Sequence, residues 1–215
     1  MRAVAVVLCG FALIALLLGW SRWLARRRLA AMGHWLAAGI AATSALFVWP
    51  LLSDLSTYDP MTREATIAEL HFEQTGSRRF RATLVRLPSG RTQVFELTGD
   101  QWRIDARTLE WQGTAAELGI RPAYRLERLA TRHVRPAADE AASEPSSFEL
   151  AAGGGTDLWA RSRSSARWAR HVSGRNATGP WKPMANGARY VVRMGDRALN
   201  VAAENEAASS AAAPP

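Results

Sequence analysis

Cysteine, lysine and, over long stretches, acid are what this 215-residue chain has least of. Cys9 is the only cysteine, which excludes an intramolecular disulfide. Its setting, "VVLCG", does not read as a lipoprotein site, because no charged segment and apolar run precede it; a small residue in an apolar helix is the expectation. Lys182 is the only lysine, so arginine supplies almost all the positive charge. Residues 1–52 hold no acid but carry Arg2, Arg22, Arg26, Arg27 and Arg28. Setting those five aside leaves 22 basic residues against 19 acidic ones, so the sequence pI of 11.0 comes largely from the N-terminal quarter. The pI is therefore no argument for nucleic-acid binding.

A second absence is charge inside the two apolar runs, Ala3 to Gly19 and Met32 to Leu52. Each is long enough for a hydrocarbon core at about 1.5 Å per residue. With no Asp, Glu, Lys or Arg in either, neither offers the groups that ion and proton pathways need. His34 lies a turn from the arginines and reads as interfacial, so the chain is not expected to transport anything alone. A cleavable signal peptide is the rival for the first run, but no convincing cleavage site precedes the arginines. The expectation is two spans, at about 3–20 and about 32–52, joined by a loop over 21–31. Four loop arginines against Arg2 place the loop in the cytoplasm and residues 53–215 outside it. Trp20, Trp23 and Trp35 fall at one interface and Trp49 at the other. Gly33, Ala37, Ala41 and Ala45 form a small-residue ridge on the second helix, and Ala5, Cys9, Ala12 and Gly19 one on the first. Such ridges let helices approach closely in lipid, within the hairpin or, alternatively, across a homodimer.

From Ala65 the apolar period changes to two. Ala68, Leu70 and Phe72 share one face, with Glu69, His71 and Glu73 opposite; Phe80, Ala82 and Leu84 alternate likewise. Turns are expected at Gly76-Ser77, at "PSG" 88–90 and at Gly99-Asp100, the last read as a hairpin signal. In "TGDQWRIDARTLEW", Trp102, Ile104 and Ala106 point one way and Gln101, Arg103, Asp105 and Arg107 the other: a half-buried antiparallel strand with a charged face. Asp100 reads as a turn residue. Asp105 reads as a cross-strand ion-pair partner, with Arg103, Arg107, Arg125 and Arg128 as candidates. A short helix over Thr114 to Leu118, closed by Gly119 and Pro122, precedes a strand in "AYRLERLATRHV".

Residues 136–156 are rich in Ala, Ser, Pro and Gly, with Asp139, Glu140, Glu144 and Glu149 and no base: a flexible acidic linker with a Gly-Gly-Gly hinge. Thr156 is the expected cap of a helix from Asp157 to Val172. "ARYVVRM", Gly195-Asp196 and "RALNVAA" make a final hairpin, and the tail 204–215 is disordered by composition. The sequence thus predicts an α+β membrane protein: an N-terminal transmembrane helical hairpin over 1–52, then a mainly antiparallel β-rich soluble domain. That domain comprises 53–135, the linker 136–156 and a completing segment 157–203, with about seven strands and one or two short helices.

Chemistry-bearing motifs are few. His71 and Glu73 share a strand face, but His133 and His171 are scattered and no further cysteine is available for a metal site. A Ser-His-Asp triad can assemble in space, yet no G-x-S-x-G elbow and no phosphate-cradling glycine loop occurs. "NAT" at 176–178 matches a glycosylation acceptor. From Leu158 to Gly195 there are eight basic residues and no acid. That run reads either as a surface for anionic lipid headgroups or an acidic partner, or as a solvated face answered by the acidic linker.

Four pieces in this order and spacing, "YDPMTREATIAELHF", "LTGDQWRIDARTLEW", "LGIRPAYRLERLATR" and "KPMANGARYVV", resemble a family of small proteobacterial inner-membrane proteins with two spans and one soluble domain. Members are described as uncharacterised or loosely as cation or multidrug efflux proteins. The resemblance covers roughly residues 55–135 and 180–195, and carries Glu69, Phe72, Gly99, Asp100, Trp102, Asp105, Arg107, Trp111, Tyr124, Arg125, Arg128, Pro183 and Met184 as structural motif residues. The family usually continues "GRY" where this chain has "ATRHV". Together the readings imply a bacterial inner-membrane protein, not an enzyme, with no catalytic, cofactor or metal residues. Its β-rich domain is expected in the periplasm as a partner-binding or envelope module. The alternative is an accessory subunit of an efflux or other transport complex; a periplasmic enzyme ranks third. Expected partners are the lipid bilayer, a membrane or envelope protein and a second copy of the hairpin, with no nucleic acid.

Overall fold

The computed structural model describes residues 2–62, 64–134, 145–151, 157–195 and 198–212. They fall into two compact units, one holding the N-terminal helices and one the β domain. In the first, α1 (Arg2–Leu24) and α2 (Arg28–Leu55) are joined by a turn of only three residues. The expected 21–31 loop is therefore mostly helical. Arg22 closes α1, Arg28 opens α2, and Arg26 takes a left-handed φ of 57° to make the turn. Arginine is a good helix former, so helix continues past the apolar run into the charged flank. Both helices are long and apolar enough to cross a membrane.

The seam between them differs from the expected every-four ridge. Ala31, Ala38, Ala41 and Ala45 of α2 are buried, as are Ala12 and Ala15 of α1, while Gly33 and Cys9 are exposed. Steps of seven and of three and four hold one face of a 3.6-residue helix; a strict step of four drifts around it. Gly19 serves close approach, because a Cβ there would run into the Trp35 indole.

The second unit is built from two antiparallel sheets. In the first, the order β11-β10-β2-β3-β4 is formed by Leu199–Ala203, Arg189–Met194, Thr66–Gly76, Arg79–Arg86 and Arg91–Thr98. In the second, the order β1-β6-β5-β8 is formed by Asp59–Pro60, Ala123–Arg132, Gln101–Trp111 and Val172–Thr178. β7 (Ser147–Glu149) adds to β6 and β9 (Lys182–Pro183) to β5. The inward faces follow the expected alternation, and Phe72, Leu84, Trp102, Ile104, Leu129 and Tyr190 meet in one core with no more than trace exposure. At its centre Phe72, Trp102 and Tyr190 form a ring trio with centroids 5.4 to 6.0 Å apart. Each such contact adds about 0.5–1.5 kcal/mol to the burial of the rings.

Several expectations need correction. Gly99-Asp100 does not close a hairpin: β4 and β5 belong to different sheets, and the pair carries the chain across the core. Gly99, at φ 144°, has Arg132 O and Thr131 Cβ each 3.1 Å from where a Cβ would sit. Among the described residues the strands number eleven, several of two or three residues, and four short helices accompany them. The expected Asp157–Val172 helix is instead α4 (Leu158–Ser164) and α5 (Ala166–Ala169), broken at Ser165, whose backbone is extended. Val172 already belongs to β8, which lies beside β5. Thr156, the expected cap, lies outside the described residues, as do Asp139, Glu140, Glu144, the Gly-Gly-Gly hinge and Asp196. Within the expected linker, β7 pairs with β6, Phe148 stacks on Phe95 at 5.2 Å and Leu150 is buried. The tail folds into α6 (Glu206–Ala212), with Ala208 fully buried. Asn205 secures it: its Oδ1 accepts from the Ala208 and Arg189 amides, and its Nδ2 donates to Gly187 O. An alanine-rich tail is a good helix once capped and docked. The remaining helix, α3 (Thr114–Glu117), falls where expected.

Candidate functional site

The motif strand β5 runs through the middle of its sheet, so one face is core and the other is the candidate surface. A register shift against β6 shapes that surface: Asp105 pairs with Arg128 but Ala106 with Leu126, leaving Glu127 as the extra residue of a bulge. Glu127 and Arg128 therefore both reach the outer face, a departure from strict alternation. Two carboxylates then each meet two guanidiniums. Asp105 accepts from Arg128 at 2.9 Å, and Arg103 Nε lies 3.2 Å from it on the other side. Glu127 lies 3.0 Å from Arg107 and 3.4 Å from Arg125. Of the four candidate partners for Asp105, the structure brings Arg103 and Arg128; Arg107 and Arg125 go to Glu127 instead.

Two tryptophans extend the network. Arg103 and Arg132 both stack on Trp181, with guanidinium carbons 4.6 and 4.5 Å from the ring centroid. Trp159, on α4, takes Arg107 at 4.4 Å and Arg163 at 4.9 Å from its ring centroid. Gly174 on β8 permits this, since a Cβ there would come within 2.5 to 3.1 Å of Ser162 and Trp159. Arg132 also donates to Gln101 at 2.8 Å. Stacking and bidentate pairing suit arginine's planar fork and hold it in few rotamers.

The other motif residues brace the fold. Asp100 ties the crossover, 3.2 Å from Arg78 and accepting from the Val134 amide at 2.9 Å, with His133 at 3.8 Å. Trp111 donates to Arg121 O, Tyr124 to Leu87 O and Tyr190 to Pro183 O. Phe72, Trp102 and Met184 are core, and Glu69 is exposed on the other sheet. Burial pushes the Tyr124 phenol up to about 12, helped by Asp59 and opposed by Arg86, and burial alone does the same to Tyr190. Burial also raises the Asp59 carboxyl, against Arg86 and Arg91, and lowers Arg86.

His71 sits 3.6 Å from Glu73, at a cleft of about 290 Å³ lined also by Glu69, Arg189 and Glu204. His133 is at the crossover instead, and among the described residues no three His, Cys, Asp or Glu groups gather as metal ligands. Asn176 of "NAT" lies within β8, paired with Arg107.

Sequence reasoning missed Glu127, Arg132, Trp159, Arg163 and Trp181. The acid-free, tryptophan-bearing run from Leu158 to Gly195 was the available signal for the last three; the bulge that presents Glu127 left none. What the network can do follows from its charge. Arg103, Arg107, Arg125, Arg128, Arg132 and Arg163 outnumber the acids described among them, Asp105, Glu127 and, opposite Arg128 on β7, Glu149, so the surface is positive, and Asp105 and Glu127 are each already shared by two arginines. Such a surface suits anion recognition better than proton transfer, which needs a carboxylate that can exchange its proton with substrate. Comparison with protein families, curated proteins and solved structures gives no match to this chain.

Proposed function

We propose that this is an inner-membrane protein of bacteria whose helical hairpin spans the bilayer and presents the β domain, in the periplasm, as a non-catalytic binding module. One observation carries the reading: the motif arginines of β5 and β6 are engaged with carboxylates and tryptophans in a fixed, positive surface. Rigid, multiply held side chains favour recognition, because little rotamer freedom remains to be lost on binding. The two long apolar helices support the anchor, and the arginines at their turn support a cytoplasmic turn. Alkaline phosphatase fused after Ala212, beyond the docked α6, should be active, and a reporter inserted at 25–27 should read cytoplasmic. A cytoplasmic reading at the C-terminal fusion overturns the orientation. Co-purification in mild detergent addresses the partner: a transporter recovered in stoichiometric amount would make this chain an accessory subunit instead.

A further inference from the structure

We propose that the outer face of the β1-β6-β5-β8 sheet, with α4 and α5, docks on anionic phospholipid headgroups. The inference deepens the proposed function and rests on its membrane anchor. Charge is the first support. Beyond the network arginines, Arg161, Arg167 and Arg170 on and beside the covering helices are exposed, and no acid occurs from Leu158 to Lys182, the stretch that forms α4, α5 and β8 and enters β9. The opposite sheet is nearer balance: its outer face sets Arg79, Arg81, Arg189 and Arg193 against Glu69, Glu73 and Glu96. A negative surface would therefore attract one side of the domain more strongly than the other.

Ligand chemistry is the second support. Guanidiniums present paired donors that match phosphate oxygens, and tryptophan stacking already orders those at Trp159 and Trp181. Half-buried tryptophan beside arginine is also the composition that settles at headgroup depth. The tether selects lipid over other polyanions. Only Ser56, Thr57 and Tyr58 separate α2 from β1, a leash of roughly 10 Å at full extension. That is close to the screening length of about 8 Å in physiological salt, so an anchored domain stays within reach of the headgroup potential.

The test uses the full chain with Cys9→Ser, labelled with bimane at Ser164→Cys on α4 or at Val94→Cys on the outer face of the other sheet. Each is reconstituted in nanodiscs of phosphatidylcholine with or without phosphatidylglycerol, doped with a headgroup-nitroxide lipid. Quenching is expected at Ser164→Cys in anionic discs only, reversed by salt, and at Val94→Cys in neither. Arg161→Gln and Arg167→Gln should each lower the docked-to-undocked ratio roughly fivefold. Equal quenching at the two sites, equal quenching in neutral discs, or none in anionic discs overturns the proposal. If added polyglutamate shifts the Ser164→Cys emission in neutral discs while anionic discs leave it unquenched, the face belongs to an acidic protein segment. Failure of the chain to co-elute with discs is seen before any dye is read; it removes the anchor reading itself and this inference with it.

Discussion

The two faces of β5 are made from one strand and obey opposite rules. Inward, Trp102, Ile104 and Ala106 are sealed in apolar contact, and stability there depends on shape and volume. Outward, Arg103, Asp105 and Arg107 are held by charge and stacking, and their worth depends on how much water reaches them. The Asp105 side chain keeps 14% of its exposure and Arg128 keeps 48%, so the outer network lies between the buried and surface limits. Alternation alone separates the two regimes. A strand dense in charge and tryptophan thus needs no active site to explain its composition.

Substitutions can break that contrast, beginning with the core. Trp102→Ala should cost about 3–5 kcal/mol and collapse the ring trio, read as a large fall in Tm. Trp102→Phe should cost only about 1 kcal/mol, because the indole N–H has no hydrogen-bond partner among the described residues and removing it loses nothing polar. On the outer face, Asp105→Asn should cost about 2 kcal/mol, between the exposed and buried limits for an ion pair. A cost equal to that of Trp102→Ala would show the face to be buried in the working molecule.

Alkaline titration sharpens the inner side. Tyr124 and Tyr190 are raised from 10.0 to about 12 in the folded chain, so the unfolded chain loses these protons first. Their contribution is complete below about pH 10 and disappears as pH climbs toward about 12. Urea midpoints should fall across that window, and the Tyr124→Phe, Tyr190→Phe double variant should flatten the fall. The smallest effect is expected from Arg163→Gln, about 0.5–1 kcal/mol, since its stack on Trp159 is solvent-exposed.

Much of this was legible in the primary structure where a period was long and uniform. The alternation of Ala68, Leu70 and Phe72, of Phe80, Ala82 and Leu84, and of Trp102, Ile104 and Ala106 places the core as found. The final hairpin pairs as its pattern implies, Val192 against Val201. What escaped were features set by tertiary contact. Gly99-Asp100 looks like a hairpin turn locally, but Arg78 and the Val134 amide hold Asp100 at a crossover. "SSFEL" looks like linker until β6 offers it an edge and Leu150 a place in the core. The alanine-rich tail gains its helix from Asn205. For the candidate site, Asp105 and Arg128 were recognisable as partners, whereas the pairing of Arg107 and Arg125 with Glu127 depends on a bulge that composition does not announce.

The most direct test of the outer face as a fixed recognition surface is a double-mutant cycle on Asp105→Asn and Arg128→Gln. It would use the full chain in mild detergent, with unfolding followed by tryptophan near-UV circular dichroism. The 2.9 Å pair predicts a favourable coupling of about 1 kcal/mol or more. Coupling indistinguishable from zero would mean that the two side chains do not hold one another, and that this strand carries its charges for some other work.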